Sequence, residues 1–212
     1  MEWRAVGQRG EVFRAQAEAA PGWYWIHRPL NTGPRSCDPT RGVILPVLVH
    51  PDGRVQSPLT DLRGLSPEDL VPADEPTGRR YQSWFAGPLP GPGLATHHIE
   101  QVPGQPARGA LPTGDGWWWC RTAAPLHHVD DQGIGPIYIR SGSGGIPWVY
   151  PAAFADGAPA DVMELGFAEP LVSEGGVIDH SGEHGRTRAE LFGRIAPHPA
   201  VPARFLAVGP AA

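Results

Sequence analysis

The sequence predicts a mainly β protein built from two tandem, related small modules, each a β-sheet or partial barrel, packed together and joined by short helical turns. Three observations carry this. A Gly-Trp-aromatic-Trp stretch occurs twice, at Gly22-Trp23-Tyr24-Trp25 and at Gly116-Trp117-Trp118-Trp119. Glycine (28) and proline (26) lie between apolar runs throughout the 212 residues, a pattern of short strands and turns rather than of disorder. That much proline also works against long helices, because it removes a backbone donor and clashes with the preceding turn.

Taken in order, Glu2 to Val6 is expected as an edge strand and Glu11 to Ala15 as a strand, with Ala15 to Ala20 arguing for a helix instead. Pro21-Gly22 turns the chain into a strand over Trp23 to His27. There Trp23 and Trp25 share one face and Tyr24 takes the other. Asn31 to Arg41 is rich in turn residues and is expected as a loop. Val43 to His50 is the next strand; Pro46 inside it requires an edge or a bulge. Pro51-Asp52-Gly53-Arg54 is a hairpin turn, with φ preset by proline and positive φ accepted by glycine, and Val55-Gln56 begins the return. Ser66-Pro67-Glu68-Asp69 has the marks of a one-turn helix. Tyr81 to Ala86 and Thr96 to Val102 are further strands, on either side of a linker near Gly91 to Gly93.

In the second half, strands are expected at Trp117 to Arg121, Pro136 to Arg140, Ile146 to Tyr150 and Met163 to Ala168, with a loop from Ala123 to Gln132. Beyond these, Gly176 to Asp179 is a short strand. Thr187-Arg188-Ala189-Glu190 reads as a capping box opening a short helix through Leu191, Phe192 and Ile195, and Arg204 to Val208 is a last strand. The modules are bounded as 1–92 and 113–212, with 93–112 as a linker containing one strand. Three stretches correspond in order: the two Trp stretches; Leu45 to Val49 with Gly135 to Ile139; and Trp84 to Leu89 with Gly166 to Leu171. Their offset of about ninety residues suits a duplicated domain.

The combination Gly-Trp-Tyr-Trp, Pro46-Val47-Leu48-Val49, a turn, and an aromatic before Gly87-Pro88-Leu89 resembles a small β module of uncharacterised phage- and prophage-borne proteins. The resemblance covers Pro21 to Pro90 and, more loosely, Gly116 to Leu171, where Glu169 replaces the first copy's glycine. It implies a compact β module in a mobile-element setting and carries over no catalytic residue.

The formal net charge is −5 and there is no basic run, which excludes a dedicated duplex-DNA binder. Cys37 and Cys120 form no CxxC, so no zinc ribbon is expected; they could pair, but their spacing does not demand it. No signal peptide and no apolar run of membrane length is visible, so a cytoplasmic protein is expected. No P-loop, nucleophile elbow or dinucleotide fingerprint occurs, and no cofactor is implied.

Two histidine-rich stretches are candidate metal ligands. His127-His128 with Asp130 and Asp131 offers nitrogen and carboxylate donors. His180-Ser181-Gly182-Glu183-His184 fits the H-x-x-E-H pattern, but the glycine between its histidines and Gly185 after them oppose the helix that pattern needs. His97-His98 lies in a strand, where the two side chains point apart.

Four of the stretch tryptophans, Trp23, Trp25, Trp117 and Trp119, are expected to pack a core. Tyr24 and Trp118 point to the opposite face. If that face lines a groove, these rings flanked by Arg28, Arg121 and Arg140 could stack on a nucleotide-like ligand while guanidinium groups hold phosphate. The expected function is a non-enzymatic binding protein, of a counter-defence type, that sequesters a nucleotide-like signal or occludes a host protein. The alternatives are a metal-dependent hydrolase using His127, His128 and Asp130, and a structural or assembly module; homo-oligomerisation remains open.

Overall fold

The computed structural model describes residues 1–7, 10–31, 37–56, 83–100, 109, 112–122, 132–140, 148–150, 153–154, 169–170 and 188–202. The chain divides into two compact units. The first comprises Met1–Pro90, Ala152–Ala160 and His198–Ala212, and the second Gly91–Pro151 and Asp161–Pro197.

In the first unit, β1 (Arg4–Ala5), α1 (Glu11–Ala19), β2 (Gly22–Asn31), β3 (Cys37–Val49), β4 (Val55–Gln56) and β5 (Trp84–Ala86) follow one another. In the second come β6 (His97–Glu100), β7 (Gly116–Thr122), β8 (Gly135–Arg140) and β9 (Trp148–Tyr150). The short β10 (Ala153–Phe154) belongs to the first unit's sheet, and β11 (Glu169–Pro170) and β12 (Arg188–Arg194) to the second's. The first sheet runs β1-β5-β2-β3-β10, with β4 also on β3. The second runs β11-β9-β8-β7-β12-β6. Every pairing is antiparallel.

Five strands of each sheet repeat one plan. In both, the Trp strand pairs with the Pro-containing strand, which pairs with a short return strand. The last strand comes back to the other side of the Trp strand, and the first strand lies outside it. The four inner strands thus have the order of a Greek key. The registers agree residue for residue. Gly22, Trp23, Tyr24 and Trp25 face Val49, Leu48, Val47 and Pro46; Gly116, Trp117, Trp118 and Trp119 face Ile139, Tyr138, Ile137 and Pro136. The return strands match, Val49 facing Val55 and Ile139 facing Val149. Ile26 pairs with Phe85, and Cys120 with Leu191. Beyond these, Leu89 N–H donates to the Trp23 carbonyl at 2.7 Å, and Ile195 N–H to the Trp117 carbonyl at 2.9 Å.

This register corrects the third expected correspondence. The counterpart of Phe85-Ala86-Gly87-Pro88-Leu89 is Leu191-Phe192-Gly193-Arg194-Ile195, with a positive-φ glycine in the middle of each (Gly87 φ 153°, Gly193 φ 108°). Glu169–Pro170 instead pairs with β9 at the opposite edge of the second sheet. Gly166 to Ala168 lie outside the described residues.

Three local expectations are also corrected. Residues 11–19 form a helix, not a strand. Phe13 and Ala17, one turn apart, are its buried residues, and the alanines around them are strong helix formers. The helix stops before Pro21, which disfavours α geometry in the residue preceding it. Of the expected loop from Asn31 to Arg41, residue 31 and residues 37–41 are strand, with Asn31 paired to Cys37 and Leu30 to Asp38, and 32–36 lie outside the described residues. Where a helix was expected from Thr187 through Ile195, 187 lies outside the described residues and Arg188–Arg194 form β12. Its Ala189 and Leu191 are buried while their neighbours are not, a period of two that pairing on both sides imposes over any local capping preference.

Other expectations hold. Glu2 to Val6 contains the edge strand β1. The turn at 51–54 closes with His50 N–H on the Arg54 carbonyl (2.8 Å) and with Gly53 at φ 83°. Arg54 N–H also donates to the Asp52 carboxylate at 3.1 Å, and that bond, with the Arg54 side chain, holds the Asp52 carboxyl below its ordinary value. Pro46 sits in the interval of β3 between its outer neighbours, β4 at Leu48–Val49 and β10 at Val43–Ile44. The missing donor is therefore placed where no described strand asks for it. The expected helix at Ser66 to Asp69 and the strands at 163–168, 176–179 and 204–208 lie outside the described residues.

Candidate functional site

The middle aromatics of the Trp strands are core residues in both units. Tyr24 is fully buried. Helix α1 covers its face of the sheet, and Phe13 packs edge-on against Tyr24 (5.4 Å) and Phe85 (5.1 Å). The Tyr24 hydroxyl donates to the Ala20 carbonyl at the helix end, and burial raises the phenol's pKa. Trp118, 6% exposed, lies in a cluster with Ile99, Cys120, Ile137, Ile139, Val149, Ala189 and Leu191. His97 meets its ring edge-on at 5.3 Å, and Arg194 covers it at 5.6 Å. Neither ring has an open face on which a base could stack. The expected groove residues Tyr24 and Trp118 are thus corrected to core residues: apolar side chains pack both faces of the Trp strand, not one. Trp23, Trp25, Trp117 and Trp119 are buried as expected, all at or below 5% exposure.

The three arginines part company. Arg28 belongs to β2 and pairs with Val43, but its side chain lies outside the described residues. Arg121 is held within its own sheet. It pairs with Glu190 at 2.9 Å, donates to the Gln132 carbonyl at 3.1 Å, and lies 5.2 Å over the Phe192 ring. Glu190 also meets His98 at 3.2 Å, and Arg188 meets Glu100 at 3.0 Å, so a ladder of charge crosses β7, β12 and β6. His97 and His98 point to opposite faces, as expected of neighbours in a strand. Arg140 is exposed at the end of β8.

Arg140 faces Trp148 across the β8–β9 pair. Trp148 is 40% exposed and is the one exposed aromatic among the described side chains. Alternation along the two strands puts Arg140 and Trp148 on the same face as Tyr138 and Tyr150, which are buried at 8% each. Tyr138 in turn packs edge-on against Trp117 at 5.5 Å. An aromatic row thus begins in the core and ends at the surface in a tryptophan beside an arginine. The sequence signal was the alternation of Trp148 and Tyr150 in the return strand, which puts both on one face but does not say how far cover extends.

A second cluster was not legible at all. His27 is fully buried in β2. Trp3 lies edge-on to it at 6.1 Å, and His198 lies 6.3 Å from both Trp3 and Trp25. The Trp3 indole donates to the Pro199 carbonyl at 2.9 Å. Burial, with the nearby His198, lowers the His27 pKa from 6.5 to about 4; burial also lowers that of His198. Trp3 and Pro199 stand 196 positions apart in the chain, and no motif links the members of the cluster.

His127, His128, Asp130 and Asp131, and His180 with His184, lie outside the described residues. Among the described residues no group of three or more His, Cys, Asp and Glu side chains could hold a metal ion, and no helix is long and apolar enough to cross a membrane. Comparison of the chain with protein-family models, curated proteins and solved structures finds no match.

Proposed function

We propose that this is a non-enzymatic binding protein that occludes a partner protein, and that the Trp148–Arg140 pair is its anchor. The observation that carries the reading is a tryptophan left exposed beside an exposed arginine at the end of an otherwise buried aromatic row. Tryptophan and arginine are the residues most enriched where interface energy concentrates. The row beneath holds them in place, which lowers the ordering cost of binding. The resemblance to phage-borne modules makes a host protein the partner class and a counter-defence role the setting. The nucleotide-sequestering form has less support, since its two stacking rings are in the core.

The test pairs wild type with Trp148→Ala/Arg140→Ala. Neither side chain is buried, so thermal stability is expected to change by less than about 0.5 kcal/mol. Crosslinking in host lysate is expected to give a saturable partner with wild type and at least a tenfold weaker one with the double variant. An unchanged set of partners, or a saturable thermal shift with a nucleotide, overturns the proposal.

A further inference from the structure

The chain returns to the first unit at His198, and residues 195–202 lie in no strand or helix. That stretch is held to the first sheet by side-chain contacts rather than by a backbone ladder. The His198 ring stands 6.3 Å from Trp3 and 6.3 Å from Trp25. Trp25 alternates with Tyr24 along β2, so this is the sheet face turned away from α1. The Trp3 indole donates to the Pro199 carbonyl at 2.9 Å, and His198 Nδ1 lies 3.0 Å from the same oxygen. That oxygen is an acceptor, so neutral His198 carries its hydrogen on Nδ1 and takes an acid proton on Nε2. His27 meets the same tryptophan from the core, fully buried and edge-on at 6.1 Å. Two imidazoles, one from β2 and one from the returning chain, thus lie against one indole.

A proton on His198 is opposed there in two ways. Burial disfavours the charged ring and outweighs the help of the Pro199 carbonyl, which lowers its pKa from 6.5. Its charge also repels a charge on His27. Cation–π attraction does not offset these effects, because it needs a cation over a ring face within about 6 Å. His198 meets Trp25 at 82° and Trp3 at 46°, both at 6.3 Å. Of the groups around the contact, Trp3 and Trp25 are neutral. Glu2 and Arg4, on either side of Trp3, are exposed, and Arg4 is engaged by the Phe85 ring at 5.3 Å and by Gln16 at 2.7 Å. Freed into water, His198 regains its ordinary value. Below pH 6.5 the freed ring therefore binds the proton that the docked ring refuses, and acid favours release. A segment docked by side chains opens at far less cost than β2 beneath it, which is paired on both sides.

We propose that His198 is an acid-released latch: when it takes up a proton beside His27, residues 198–202 leave Trp3 and Trp25 while β2 and β5 stay paired. The first sheet then presents its Trp3–Trp25 face to solvent. The latch lies in the first unit and uses neither Trp148 nor Arg140, so it stands or falls apart from the partner-binding reading.

The full chain, labelled with 15N, is titrated by NMR from pH 7.5 to pH 5, a range in which His27 with its pKa of about 4 stays mostly neutral. Trp3→Phe identifies the Trp3 indole signal. That signal is expected to move to the position of a solvent-exposed indole, with a midpoint below pH 6.5, while the amides of β2 and β5 keep their dispersion. His198→Phe and His198→Gln put a side chain that takes no proton at the latch. Each should hold the Trp3 signal at its pH 7.5 position down to pH 5. A Trp3 signal that does not move in wild type overturns the proposal. So does the same movement in either variant, or loss of the β2 and β5 amide signals in step with it.

Discussion

Replacing Gly42 by alanine tests whether the buried histidine of the first sheet is held as tightly as its surroundings suggest. Gly42 lies two residues from Ile44, the cross-strand partner of His27, and so is the diagonal neighbour of His27 on the same face. A Cβ added at Gly42 would lie 2.6 Å from His27 Cε1, 3.1 Å from Cδ2, and closer still to Nε2. The ring has nowhere to retreat, because His27 is fully buried with Trp3 against it. Overpacking of this kind costs about 1–3 kcal/mol, and the depth of the overlap puts the expectation near the upper end. For a chain of this length that is a fall in Tm of roughly 5–10 °C. Gly42 has no positive φ, so its backbone accepts alanine. Once the ring is removed by His27→Ala, Gly42→Ala should be neutral, or stabilising by about 0.4–1 kcal/mol through the unfolded chain. A urea-unfolding cycle over the four proteins measures this coupling. A Gly42→Ala variant as stable as wild type, or one equally destabilised with and without the His27 ring, refutes the reasoning.

Acid should weaken the fold through the same histidine. Its pKa is lowered from 6.5 to about 4, so between those values the unfolded chain binds the proton that the folded chain refuses. Stability is therefore lost as pH falls from about 6.5 to about 4, by roughly 3 kcal/mol in all, with no further loss from this group below that. His27→Gln should flatten that part of the stability–pH curve measured by urea unfolding, and an unaltered slope would sink the assignment. The paired glycines of the last strands give a second comparison. Gly87→Ala must adopt a positive φ and also meets the Tyr24 ring at 2.6 Å, whereas Gly193→Ala has the positive φ with nothing within 4 Å. The expected losses are about 1 kcal/mol for Gly193→Ala and at least twice that for Gly87→Ala. Equal losses in thermal unfolding would mean that the Tyr24 ring gives way freely.

The parts of this fold legible in the sequence are those set by local pattern. Turn chemistry at Pro51 to Arg54 and alternation in the Trp strands specify hairpins without knowledge of anything distant. The failures share a cause. Arg188 to Arg194 carries helix-start residues, and only the presence of β7 on one side and β6 on the other makes it a strand. Tyr24 and Trp118 seemed available because one strand face was taken as the core. It takes α1 over one sheet, and Ile99, Ala189 and Leu191 in the other, to show that the opposite face is covered too. Trp148 looked no different from its buried fellows, since exposure depends on where cover ends.

The shared register also shows where the two sheets differ. With the Trp strands aligned, His27 corresponds to Arg121, and Trp84, which faces His27, corresponds to Glu190, which faces Arg121. In the first sheet this place is packed by Trp3 and His198. In the second it carries the ladder of Arg121 with Glu190 and Arg188 with Glu100, with His98 beside Glu190; His98 and Arg188 are largely exposed. Five strands agree in order and register between the two sheets. A buried imidazole beside tryptophans tolerates no charge at neutral pH, whereas the ladder is made of charge and sits in water, where each exposed pair contributes about 0–1 kcal/mol. The first position thus serves the core, while the second meets solvent. The exposed Trp148 is a second such difference: with Val149 aligned on Val55, its counterpart by register is Arg54, whose carbonyl accepts from His50 N–H in the turn after β3.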